Sequence, residues 1–293
     1  MANLLFIYNP YAGKARIRSN LLDIIDIFTK AGYTVTARPT QAAGDAGEIF
    51  ARLTQDYDLI VCCGGDGTLG EVVRGMKQYR VLEPLGIIPA GTSNDFARSL
   101  NITGDMKKAA EQICRRQAFE CDLGFFNETP YNYVASFGLF TDVAYETKQS
   151  IKNSIGHMAY VLEGIKRLTD LQTTRMKVVA EEMEIEDDFL FGMVTNSLSV
   201  GGFKNITGKR VKLDDGLFEV TLITKPRNPL ELNNLMTALV MRKLDADCMH
   251  LFKSSQLLIT AATPTSWSLD GEYGGEHQNV TIRNERKGLA IYC

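Results

Sequence analysis

Leu59-Ile60-Val61-Cys62-Cys63-Gly64-Gly65-Asp66-Gly67-Thr68 is an apolar run that ends in a glycine-rich loop carrying an aspartate. The same grammar recurs where Leu85 to Ile88 leads into Gly91-Thr92-Ser93-Asn94-Asp95. Each run reads as a buried strand, and the stretch after each loop reads as a helix. Strand, glycine loop and helix in that order belong to a parallel sheet. Glycine lets backbone N–H groups approach an anion, and a following helix N-terminus adds a favourable dipole. An aspartate in such a loop repels phosphate unless a cation lies between them, so nucleotide with Mg²⁺ is the first expectation. The plainer alternative is a pair of tight turns with no ligand. Two loops that each carry an aspartate exceed what turn-making requires.

The alternation extends outward from these loops. Leu4 to Tyr8 reads as a strand, and Leu21, Ile24, Ile25 and Phe28 have helical spacing. Tyr33 to Ala37 reads as a strand, and Asp45 to Leu53 and Asp105 to Arg116 as helices. Residues 1–125 are therefore expected to form an α/β nucleotide domain, a parallel sheet with helices on both faces. Ligands of such sheets bind beyond the carboxyl ends of the strands. Asn9-Pro10, Gly64 to Thr68 and Gly91 to Asp95 all fall at such ends. After Asp122 the pattern changes. Phe119 to Gly124 and Tyr131 to Ser136 read as strands around a turn at Asn127 to Pro130. Met176 to Val179, Phe189 to Val194, Leu217 to Thr224, Leu251 to Thr260, Ser266 to Leu269 and Val280 to Arg283 follow as further strands. A mainly antiparallel β-sandwich is expected over residues 126–285, with a barrel as the alternative. Helical segments at Ile151 to Leu168 and Leu230 to Leu239 interrupt it. Residues 286–293 carry a last strand that fits either domain.

Composition sets the bounds. The chain has 293 residues, 45% apolar and 23% charged, which suits a folded protein of two domains. A net charge of −3 gives no global attraction to nucleic acid or membrane, so no nucleic-acid partner is expected. The six cysteines show no C-x-x-C spacing and read as reduced thiols of a cytoplasmic protein. Leu4 to Tyr8 is too short for a signal peptide, and no run reaches the roughly 20 apolar residues that span a bilayer.

Gly65-Asp66-Gly67-Thr68-Leu69-Gly70 fits the dinucleotide fingerprint G-x-G-x-x-G literally. The motif sits well into the sheet, however, and no acidic residue closes the next strand, where Pro89, Ala90 and Gly91 follow Ile88. A Walker A loop is absent too, since Ala15 follows Gly13-Lys14 and Tyr8 stands where the first glycine belongs.

The ordered set resembles the diacylglycerol kinase catalytic family, in its bacterial stand-alone branch. It comprises Tyr8-Asn9-Pro10 with Gly13-Lys14, Gly64-Gly65-Asp66-Gly67-Thr68, Gly91-Thr92-Ser93-Asn94-Asp95, Cys121-Asp122-Leu123-Gly124, Asp214-Asp215-Gly216-Leu217 and Asp270-Gly271-Glu272. The resemblance runs nearly the length of the chain. It implies ATP in a cleft between two domains, Mg²⁺, and phosphorylation of a lipid hydroxyl, diacylglycerol first, with phosphatidylglycerol or another hydroxylated lipid behind it. Asn9, Pro10, Gly13, Lys14, Thr40, Gly64, Gly65, Asp66, Gly67, Thr68, Leu69, Gly70, Glu71, Gly91 and Thr92 match the nucleotide-binding positions. Glu272 matches the general base, and Asp66, Asp95 and Asp122 match an acidic network. Asp215, with the carbonyls of Lys212 and Leu217, matches a structural Mg²⁺ loop. The implied place of work is the inner face of the membrane, reached peripherally from the cytoplasm, and a homodimer is compatible with it.

Plainer readings stand beside these. Asp270-Gly271 and Asp214-Asp215-Gly216 are turn sequences in their own right. Asp95 is placed to cap a helix. His157, His250 and His277 lack metal spacing. Ile151 to Leu168 carries an apolar face flanked by Lys148, Lys152, Lys166 and Arg167, which suits either an anionic lipid surface or a core stripe with solvated lysines. Competing functions are a soluble NAD-kinase-like phosphotransferase, a nucleotide-binding regulatory module without turnover, and a dehydrogenase. Asp95, Asp215 and Glu272 in order argue against the first. The complete acidic set argues against the second, and the missing ribose acid against the third.

Overall fold

The computed structural model describes residues 2–139, 171–181, 183–200, 203–204, 211–241 and 246–293. The chain divides into two units. The first holds Met1–Leu123, Thr129–Asn132 and Glu285–Cys293, and the second Gly124–Glu128 and Tyr133–Asn284.

In the first unit, β1 (Ala2–Tyr8), β2 (Tyr33–Pro39), β3 (Leu59–Gly64) and β4 (Leu85–Pro89) pair in parallel in the order β2-β1-β3-β4. Every residue of β3 and β4 is buried, which is why both read as unbroken apolar runs. The register aligns the strand ends. Tyr8 lies opposite Pro39 and Cys63, and Cys63 lies opposite Ile88. Asn9, Thr40, Gly64 and Pro89 therefore leave the sheet along one edge.

Short turns and helices follow those ends. The turn α1 (Ala12–Ala15) holds Gly13 and Lys14 in the left-handed region. Helix α2 (Leu21–Lys30) buries Ile24 and Phe28. The segment expected as one helix from Asp45 is α3 (Asp45–Glu48) followed by a 3₁₀ turn at Ile49–Arg52. Its Gly47 lies so close to α4 (Asp66–Gln78) that an added Cβ would meet the Glu71 carbonyl oxygen at 3.0 Å. Helix α4 buries Leu69, Val72, Val73 and Met76, an i, i+3, i+4, i+7 stripe. Helix α5 (Asp95–Ser99) is short, and α6 (Met106–Cys114) starts at Asp105, whose carboxylate accepts from Lys107 N and Lys108 N.

β5 (Ala118–Phe126) turns at Asn127, with φ +51°, into β6 (Thr129–Tyr131). β7 (Val134–Gly138), β8 (Thr174–Ala180) and β9 (Met183–Thr195) follow, then the short pair β10 (Ser199–Val200) and β11 (Phe203–Lys204), β12 (Phe218–Thr224), α7 (Pro229–Met241), β13 (Met249–Ser254), β14 (Gln256–Leu269) and β15 (Glu272–Tyr292). The main strands of the second unit pair antiparallel. β7 and β8 lie end to end between β9 and β14, each pairing with both. Trp267 is 1% exposed and stacks on Phe126 and Phe137, each at 4.9 Å between ring centroids. Helix α7 starts with a reciprocal cap. Asn228 Oδ1 accepts from Glu231 N, and Asn228 Nδ2 donates to Glu231 Oε1, with proline at the first helical position.

The structure corrects several strand assignments. Tyr131 to Ser136 is split between β6 and β7, and Ser266 to Leu269 is the end of β14. Leu251 to Thr260 is not one strand but two, because Gln256 N donates back to Ser254 Oγ and Glu181 Oε1 accepts from Ser255 N and Oγ at the corner. Val280 to Arg283 and Leu289 to Cys293 are not separate, because β15 runs through both. Its far end pairs in parallel with β4, Ile291 opposite Leu85, and residues 285–293 belong to the first unit. The segment Ile151 to Leu168, with Lys148, Lys152, Lys166 and Arg167, lies outside the described residues. No described helix is long and apolar enough to cross a membrane.

Candidate active site

Three strand ends of the first unit build one site. Asn9 continues β1, and its N–H donates to the Cys63 carbonyl at 2.9 Å. Its side-chain Nδ2 donates to Thr68 Oγ1 at 3.3 Å, tying the first loop to the start of α4. Its Oδ1 accepts from Tyr11 N at 2.9 Å, which turns the chain toward Gly13. Glycine is required there, since a Cβ on Gly13 would lie 1.8 Å from the Ala90 carbonyl oxygen. Lys14 and Ala15 also hold positive φ, at 66° and 60°. Consecutive non-glycine residues in that region mark a strained loop, and such strain gathers at functional sites.

The second and third loops touch backbone to backbone. A Cβ on Gly91 would lie 2.6 Å from Gly65 Cα. Asn94, left-handed at φ +50°, folds its amide back onto Gly91, accepting from Gly91 N at 2.8 Å and donating to Gly91 O at 2.9 Å. Ser93 and Asn94 are site-building residues that the sequence reading did not single out, although both lie inside the quoted motif.

Asp66 opens α4 and meets the third loop. Its Oδ2 accepts from Ser93 Oγ at 3.0 Å and from Asp95 N at 3.3 Å. Asp95 is 1% exposed. Burial, and then the Asp95 charge, hold the Asp66 carboxyl above its ordinary value, offset in part by Ser93 and the backbone N–H groups of Asp95 and Phe96. Two neighbouring acids under desolvation are a donor set that suits a divalent cation. Among the described residues no group of three or more His, Cys, Asp or Glu converges. A Mg²⁺ held by one or two carboxylates takes its remaining oxygens from substrate phosphates and water.

The other expected residues have defined places. Gly64, Gly65, Gly67, Thr68, Leu69 and Gly70 run from the end of β3 into α4. Glu71 has both oxygens engaged, accepting from Gly44 N at 2.8 Å and Ala46 N at 3.2 Å. It holds the start of α3, opposite a helix N-terminus that favours an acid. Thr40 is 6% exposed and its N–H donates to the Tyr8 carbonyl at 2.9 Å. Thr92 is exposed, and Pro10 is partly so. Asp122 is buried in β5 and accepts from Lys287 N at 2.8 Å, which fixes the returning β15. Burial pushes the thiol of Cys63, beside these loops, up to about 12, which keeps it in the protonated form.

The second unit carries the remaining positions. Asp270 and Gly271, at φ +53° and +82°, form the two-residue turn between β14 and β15, with Leu269 opposite Glu272. That geometry suits an Asp-Gly pair. The Asp270 carboxylate is buried and accepts from Tyr133 N at 2.9 Å and Val134 N at 3.2 Å, which pins the turn. Glu272 stands exposed at the first position of β15. In the loop before β12, Asp215 Oδ1 accepts from Leu217 N at 3.2 Å. Asp215 Oδ2 lies 2.9 Å from Lys253 Nζ, and the same ammonium lies 2.9 Å from Glu219 Oε1. Burial holds the Glu219 carboxyl above its ordinary value despite Lys253. Burial alone pulls Lys253 down, and its two carboxylate partners outweigh that, leaving its value raised.

Comparison with known proteins gives two successive matches along the chain. A match to the family described as diacylglycerol kinase catalytic domain spans residues 3–126. A match to the YegS C-terminal NAD kinase beta sandwich-like domain spans residues 134–289. A protein of Staphylococcus saprophyticus named diacylglycerol kinase is 32% identical over 272 residues, 92% of this chain and 88% of its own length. The Bacillus subtilis protein of that name is 32% identical over 273 residues, 92% of this chain and 89% of its own. A crystal structure of a Bacillus anthracis diacylglycerol kinase superposes with TM-score 0.77 at 21% identity, covering 99% of this chain and 96% of its own. At that identity the likeness carries the fold.

Proposed function

Because the chain belongs to the diacylglycerol kinase catalytic family, and is on that footing a lipid kinase, we propose that it transfers the γ-phosphate of ATP to the free hydroxyl of diacylglycerol, giving phosphatidic acid. The observation that carries the reading is the contact between the Gly65 and Gly91 loops, with Asp66 and Asp95 at their helix starts. Backbone N–H groups of these loops receive the phosphates, and the dipole of α4 favours their charge. Asp66, with Asp95 behind it, would hold Mg²⁺, which supplies charge neutralisation at the transferring group. Glu272 accepts the proton of the lipid hydroxyl. Positioning by the loops outweighs proton removal, because the phosphoryl transition state is loose. The lipid is met at the cytoplasmic membrane surface, peripherally.

Incubation with γ-labelled ATP, Mg²⁺ and vesicles of mixed lipids tests this. Label is expected in phosphatidic acid. Label in phosphorylated phosphatidylglycerol would move the substrate within the class, and label in NAD would overturn the lipid reading.

A paired substitution tests the loops. Gly13→Ala and Gly32→Ala both place Cβ at positive φ, but at Gly32 nothing lies within 4 Å. Both lose about 1 kcal/mol of stability to backbone strain. Gly13→Ala is expected in addition to weaken ATP binding about tenfold or more, since displacing Ala90 moves a phosphate loop. Equal ATP affinity in the two variants, by calorimetry, would remove the first loop from the nucleotide site.

A further inference from the structure

A divalent ion is the expected tenant of the Asp215 loop, and the structure offers it a poor fit. Asp215 has one oxygen committed to Leu217 N and the other to Lys253 Nζ. A Mg²⁺ bound to an oxygen at about 2.0–2.1 Å would stand against an ammonium already 2.9 Å from that oxygen. The ammonium is not there by chance rotation of a loose side chain. Glu219 on β12 and Lys253 on β13 are directly opposed, in a register that runs from Phe218 opposite Ser254 to Ile223 opposite Met249. Opposed residues share a face, so the strand pairing itself delivers Lys253 to Glu219. Glu219 is 6% exposed and sits between Lys253 and Thr195 across the sheet. From there the lysine reaches the loop that leads into the same strand.

We propose that Lys253 is the built-in cation of this loop, a tethered ammonium in the place where a Mg²⁺ on Asp215 and the carbonyls of Lys212 and Leu217 was expected. A tethered charge has no translational freedom to lose on engaging Asp215, unlike a free ion. The loop before β12 is therefore held shut at any Mg²⁺ concentration, and chelators leave it in place. This inference concerns the fold of the second unit and does not rest on the kinase reading.

Thermal melting without nucleotide tests it, in EDTA and in millimolar Mg²⁺, for the full chain, Asp215→Asn and Lys253→Met. Any Mg²⁺ taken up at Asp66 shifts all three alike, so the differences isolate the loop. The full chain and Asp215→Asn are expected to show the same Mg²⁺-induced shift. Lys253→Met is expected to melt about 3–6 °C lower in EDTA, and to recover part of that loss in Mg²⁺, because the vacated carboxylates then form an open cation site. A larger Mg²⁺ shift in the full chain than in Asp215→Asn would overturn the proposal. So would a Lys253→Met protein that melts as the full chain does and ignores Mg²⁺. If Lys253→Met fails to fold, the comparison of the full chain with Asp215→Asn decides alone.

Discussion

Asp66→Asn is expected to lower kcat by about 10²-fold or more and, in the same protein, to raise the melting temperature of the nucleotide-free form. The two effects share one cause. Asp66 and Asp95 are neighbouring acids under desolvation, which holds the Asp66 carboxyl above its ordinary value. A raised folded value means that the folded state binds the proton more tightly than the unfolded chain. The stabilising share is then full below the unfolded value and lost as pH rises through the folded one. Wherever the wild type is charged it carries this penalty, and the carboxamide removes it. The stability gain should therefore shrink as pH falls through the raised value, where the wild type takes up its proton. Melting curves across that range, beside steady-state turnover, give both readouts. A variant that loses stability at neutral pH would show that the Asp66 charge is held by partners, not strained.

Glu272→Gln is expected to lower kcat by about 10²-fold with ATP affinity unchanged. The exposed carboxylate stands one residue past a turn that Asp270 pins to Tyr133 N and Val134 N. The carboxamide keeps its size and place and loses its basicity. Single-turnover kinetics report the step, and calorimetry reports the nucleotide. Unchanged single-turnover rates would leave the residue as an ordinary surface acid at a hairpin, and the base would have to be sought elsewhere.

How far the sequence carried depended on whether a residue's partner was local. The β3 loop was legible because its apolar run, its glycines and α4's stripe of Leu69, Val72, Val73 and Met76 are contiguous. The Asp270-Gly271 turn was legible for the same reason. The reach of Glu71 was not legible, because nothing nearby reveals that Gly44 and Ala46 take both its oxygens. Lys253 was invisible, since its meaning rests on a strand register joining residues 34 and more positions apart, Glu219 opposite Lys253. The corner at Ser255 was missed because apolar residues continue on both sides, and a serine side chain, not a glycine or proline, breaks the strand. Gly13 was placed by its motif, but only the structure gives the reason, a carbonyl of Ala90 where a methyl would sit.

The far end of β15 pairs with β4, and a ribosome emits these partners far apart in time. Leu85 and Ile291 are separated by about 200 residues, roughly 10–40 s of synthesis at 5–20 residues per second. Through that interval β4 has a partner in β3 but none yet from Ile291 and Tyr292. An unpaired buried-type strand edge is a template for association with another chain. The first unit thus waits on the completion of the second before its own sheet is closed. A chain stalled or cleaved before residue 285 lacks the strand that covers that edge, so β4 is where association between truncated copies is expected to start.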